Sequence, residues 1–132
     1  MPPRRRTDRE EGRAALSDWV LDAANLPRAR LATAVRFTLE EFAARAPGGA
    51  TELRVPPFGV VQCVPGPRHT RGTPPNVVEL DAATWLGLVT GRRAWDEELA
   101  AGRIHASGER SDLSALLPLS GLVPEGQGPV GA

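Results

Sequence analysis

Lysine is absent, and all sixteen basic residues are arginines. Schiff-base chemistry and a lysine-headed phosphate loop are thereby excluded. Cys63 is the single cysteine, which leaves no internal disulfide framework and no cysteine-built zinc site, and fits a reducing cytoplasm. Net charge is also missing: sixteen acidic residues balance the arginines, so no whole-molecule field draws the chain to nucleic acid or an anionic membrane. No stretch approaches the roughly 18 apolar residues of a membrane span, and the basic start at residues 1–6 has no apolar run behind it. The expectation is a cytoplasmic protein, neither exported nor stably inserted in a membrane.

What is present fits one domain: 132 residues with 41% hydrophobic against 24% charged leave room for a single core. Residues 1–6 read as a flexible arginine-rich arm. Residues 120–132, spread with Gly121, Pro124, Gly126, Gly128, Pro129 and Gly131, read as a disordered tail with too little apolar surface to offset ordering entropy.

Between these ends the hydrophobic period identifies the elements. Thr7 and Glu10 have capping-box spacing, after which Leu16, Trp19, Val20 and Ala23 share a helix face. Leu31, Val35, Leu39 and Phe42 mark a second helix, with Arg30, Arg36, Glu40, Glu41 and Arg45 on other faces, stopped by Pro47, Gly48 and Gly49. The period then falls to two. Leu53 and Val55 alternate with Glu52 and Arg54, and the run 58–64 is apolar on both parities except Gln62, the pattern of a strand covered on both faces. Val77 and Val78 mark a third strand. Asp81 caps a helix with an Ala82, Trp85, Leu88 and Val89 stripe that ends at Gly91. A short turn carries Trp95 and Leu99; Ile104 and Ala106 alternate in a last strand, and Ser111 caps a final helix with Leu113, Leu116 and Leu117 inward. The order α-α-β-β-β-α-α-β-α predicts an α+β fold with helices on one face of the sheet.

Catalytic signatures are weak. Gly126, Gly128 and Gly131 match a dinucleotide-binding spacing, but no strand precedes them and no room remains for the helix that would hold the pyrophosphate. Cys63 lies in an apolar strand pattern and reads as a buried structural thiol. His105 alternates outward with no second ligand near it in sequence, and two histidines without spaced partners make no metal site. Asp96, Glu97 and Glu98 read as a solvated helix face balancing Arg92 and Arg93. Arg4, Arg5 and Arg6 are followed at once by Asp8, Glu10 and Glu11, without aromatics for base stacking. The loop with Arg68, His69, Thr70, Arg71 and Thr73 has two readings. Its guanidinium, imidazole and hydroxyl groups converge on a carboxylate or phosphate, or it is an exposed connection whose arginines pair with acids of the fold.

Residues 76–119 resemble the C-terminal half of a sterol-carrier-protein domain. The resemblance rests on the strand entering Leu80 and Asp81, the run Thr84-Trp85-Leu86-Gly87-Leu88-Val89-Thr90-Gly91-Arg92, the run Ala101-Gly102-Arg103-Ile104-His105-Ala106-Ser107-Gly108, and the apolar segment 112–117. The loop from Pro67 to Glu79 resembles the small actinobacterial branch described as bacterial sterol-carrier orthologues, and the whole likeness spans residues 28–119. It implies a sheet of about five strands backed by helices, no cofactor, no catalysis, and an apolar groove for a lipid-like or other hydrophobic small molecule. The groove-facing residues are then Phe58, Val61, Val78, Trp85, Leu88, Ile104, Leu113 and Leu117, all of which also suit plain core. Similar domains are attached to a thiol-dependent isomerase elsewhere in bacteria, which keeps a second reading: an accessory module that uses loop 68–73 on a partner protein or an anionic metabolite. A hydrolase or isomerase ranks third, because no nucleophile–base pair or metal constellation can be placed.

Overall fold

The computed structural model describes residues 5–67 and 76–123. Helix α1 (Arg9–Asp22) starts at Asp8, whose carboxylate accepts from the Glu11 amide at 2.9 Å. The expected cap, Thr7, has a different role: its own amide donates to Glu40 on the next helix. A 3-10 turn (Ala23–Asn25) leads into α2 (Arg28–Arg45), which ends before Pro47 as the lost amide and ring of proline require. Strands β1 (Thr51–Val55) and β2 (Gly59–Cys63) form an antiparallel hairpin, and β3 (Val77–Leu80) lies parallel to β1. Helix α3 (Ala82–Val89) is capped by Asp81, which accepts from the Thr84 amide at 2.7 Å, and Gly91 closes it at φ +77°. Helix α4 (Trp95–Ala100) precedes β4 (Ile104–Ser107), antiparallel to β3.

The fold is α+β, with a mixed sheet of four strands among the described residues, in the order β2-β1-β3-β4, rather than about five. Three further expectations change. Strand β2 is an edge strand covered on one face only: Val60 is 56% exposed, so the continuous apolar run did not mean burial on both sides. The last helix is a single 3-10 turn (Ser114–Leu116), because Leu117, preceding Pro118, is pushed to an extended ψ of 148°. Residues at both ends are also tied down: the Arg6 amide reaches Glu40, and Leu122 is buried in the core while Arg13 donates to the Gly121 carbonyl at 2.9 Å. Residues 1–4, loop 68–75 and residues 124–132 lie outside the described residues, and with them the expected roles of Arg68, His69, Thr70, Arg71 and Thr73.

One continuous core joins α1, α2, α3 and the covered face of the sheet. At its centre Phe42 meets Trp85 edge to face, ring centroids 5.6 Å apart. The Trp85 indole N–H donates to the buried Thr38 hydroxyl at 2.8 Å, which settles the one polar atom that so large a ring brings inside. The other sheet face is polar: Arg54 bonds Glu52 and stands 3.8 Å from Glu79, with exposed His105 opposite Glu79 across the strands. No helix of the described residues is long and apolar enough to cross a membrane.

Candidate ligand-binding site

Among the described residues, the eight apolar residues read as one groove fall in several places. Val78 and Trp85 have no surface that a water molecule can touch, and neither do Phe37, Leu53, Val55, Leu86 and Val89 around them. No water-sized void therefore borders them, and the interior between sheet and helices is solid there. Leu113 and Leu88, at 1% and 2% exposure, belong to the same core. Leu88 also edges a shallow cleft of about 370 Å³ with Leu117, Trp95 and Pro118. Ile104 is buried as well, beneath a depression with His105 at the rim of the open sheet face.

Phe58 and Val61 do come together, in a cleft of about 780 Å³ between α2 and the β1–β2 hairpin. Its walls are Arg36, Leu39 and Glu40 of α2, Phe58, Gly59, Val60 and Val61 of the hairpin, and Arg6 and Thr7 before α1. Leu39, nearly fully buried, forms the floor. Gly59 sits tightly over it, since a Cβ at that position would stand 3.0 Å from Leu39 Cδ1. Arg36 Nε donates to the Phe58 carbonyl at 3.1 Å, and the Arg28 guanidinium lies 5.1 Å from the Phe58 ring centroid, so two cations hold the aromatic wall in place. On the opposite wall both Glu40 oxygens accept backbone amides, from Thr7 at 3.0 Å and Arg6 at 3.2 Å. The result is a half-apolar cleft with arginines on its rim.

Sequence reading missed Arg36, Leu39 and Glu40 as neighbours in a site. The signal was there in part: positions i, i+3 and i+4 share a helix face. Leu39 reads as part of the apolar stripe and Arg36 and Glu40 as other faces, and helix spacing does not say that the hairpin that follows folds back onto them. Glu98 was likewise read as solvated. It is 4% exposed and held by Arg93 at 2.9 Å and Arg103 at 2.6 Å, while Asp96 and Glu97 point to water. Hydrogen bonding from Arg103, then Arg93, holds its carboxyl below the usual 4.5 despite burial. Cys63 is buried, and desolvation pushes its thiol up to about 12, far from a nucleophile at neutral pH. Among the described residues no three His, Cys, Asp or Glu side chains gather as metal ligands.

Residues 27–119 match the family described as bacterial SCP ortholog. The chain belongs to that family. No curated protein matches it. The family match begins at Pro27, where α2 starts, and ends at Leu119, so it takes in the hairpin and the α2 wall of the cleft but neither α1 nor the Arg6 and Thr7 wall.

Proposed function

We propose that the protein binds a hydrophobic small molecule without transforming it, as a carrier in the cytoplasm, and that the ligand lies in the cleft between α2 and the β1–β2 hairpin. The observation that supports this most is the joining of an apolar wall of half-buried Phe58 and Val61 to arginine-bearing rims in about 780 Å³, a volume within the range of small-molecule sites. Membership of the SCP family points the same way. An acyl or isoprenoid chain would lie along the hairpin wall. The non-enzymatic part of the reading is supported by the inert Cys63 and by a cleft whose titratable groups are arginines and a glutamate already bonded to amides.

The test is titration of the full chain with a dansyl-labelled fatty acid, followed by native mass spectrometry against fatty acids, sterols and isoprenoids. Val61→Trp, which fills the cleft from a half-exposed strand position, lowers affinity about tenfold or more, the effect of losing roughly 1.4 kcal/mol of contact. Unchanged affinity in that variant overturns the site, and the lack of saturable binding across the panel overturns the function.

The filled packing around Val78 and Trp85 favours a second reading, an accessory module on the same fold. It predicts that Arg68→Ala with Arg71→Ala abolishes capture of a partner protein while leaving lipid binding untouched.

A further inference from the structure

One wall of the cleft belongs to no helix or strand. Residues 5–7 precede the Asp8 cap and reach α2 through two adjacent carboxylates: Glu40 takes the Thr7 and Arg6 amides, and Glu41 Oε1 stands 2.8 Å from Arg5 Nη2. We propose that this segment is a strap that gates the cleft, closing over the ligand when its amides are bonded to Glu40 and releasing it when they are not. The inference rests on the cleft being the ligand site.

Three observations carry it. First, the two Glu40 fastenings are of a kind that water can replace, and the third, Arg5 on the buried Glu41, leaves that carboxylate still paired with Arg45 when it opens. Both Glu40 bonds lie at partly exposed or exposed positions, whereas α1 itself is anchored by buried Leu16, Trp19 and Val20. The strap therefore has a route to open while α1 stays docked. Second, the hinge is already outside the helix: Asp8 has φ −60° and ψ 132°, so rotation there swings residues 5–7 without unwinding a turn. Third, Glu40 is itself a cleft residue, with both of its oxygens turned to the strap. Opening the strap would return an unshared carboxylate to the cleft, which disfavours an apolar chain lying beside it. Closure and retention of the ligand are thus linked through one side chain.

The experiment uses the full chain, with amide hydrogen exchange at Arg6 and Thr7 and stopped-flow dissociation of the dansyl-labelled fatty acid. Glu40→Ala removes both acceptors; exchange at the two amides quickens and the dissociation rate rises roughly thirtyfold, as expected for the loss of two hydrogen bonds of ordinary net strength. Because Glu40 also borders the ligand, Thr7→Pro serves as the second variant. It removes one donor, leaves the carboxylate in place, and produces a smaller rise. Faster exchange with an unchanged dissociation rate in both variants overturns the gate and leaves the cleft reading standing. Unchanged exchange in Glu40→Ala overturns the gate as well, since the segment is then held by something else. If the wild-type chain fails to bind the probe saturably, the ligand site falls, and the gate falls with it.

Discussion

Helix α1 approaches α2 so closely at Gly12 that the two elements share almost no space for a side chain. A Cβ added there would lie 2.6 Å from Phe37 Cβ and closer still to the root of the ring, against the 3.5–4.0 Å at which carbon atoms attract. Gly12→Ala therefore sets two effects against each other. Helix propensity favours alanine by about 1 kcal/mol in a helix interior. Overpacking costs about 1–3 kcal/mol, and the upper part of that range applies, because the clash is with the base of a fully buried phenylalanine rather than the far end of a flexible chain. The net result is a loss of about 1–2 kcal/mol, or a fall in Tm of roughly 4–8 °C for a chain of this size. Thermal unfolding followed by circular dichroism measures it. In the Phe37→Leu background the same substitution costs less, because the shorter side chain can withdraw, so the two changes add to less than their sum. A Tm that holds or rises would show that propensity wins and that α1 does not pack on α2 as described.

Thr38→Val leaves the Trp85 indole N–H buried without an acceptor and lowers stability by about 1–3 kcal/mol in urea unfolding, while Thr38→Ser restores most of it; equal effects of the two would sink the hydrogen-bond argument. Stability falls as pH drops below about 4.5. Glu98 is held low by Arg103 and Arg93, and Glu41, which burial pushes up, is brought down further by hydrogen bonds from Arg5 and Arg45. A carboxyl whose folded pKa is depressed contributes its stability above the unfolded value and loses it on protonation, so urea midpoints measured from pH 6 to pH 3 decline, and Glu98→Gln flattens the decline. Cys63 resists a thiol-specific disulfide reagent at pH 8 until denaturant is added, and prompt stoichiometric labelling of the native protein would contradict its burial.

Local chemistry in the sequence determined most of the element types. The change from a 3.6 to a 2 period after Gly49 separates helices from strands, Asp81 caps α3 as its spacing indicates, and Gly91 stops that helix in the conformation that suits glycine. These depend on residues a few positions apart, so they can be read along the chain. Where local reading failed, a partner distant in sequence had taken over. Thr7 gives its amide to Glu40, 33 residues on, and Glu98 escapes solvation because arginines before and after α4 converge on it. Hydrophobic pattern alone could say that Phe58, Val61, Val78 and Trp85 avoid water, but not what each one faces. Tertiary structure decided that by placing β1 between β2 and β3, which buries Val78 and Trp85 in a filled core and leaves β2 at the edge with Phe58 and Val61 beside the open cleft. Burial follows from which surfaces meet, and that is set by pairings between elements far apart in the chain.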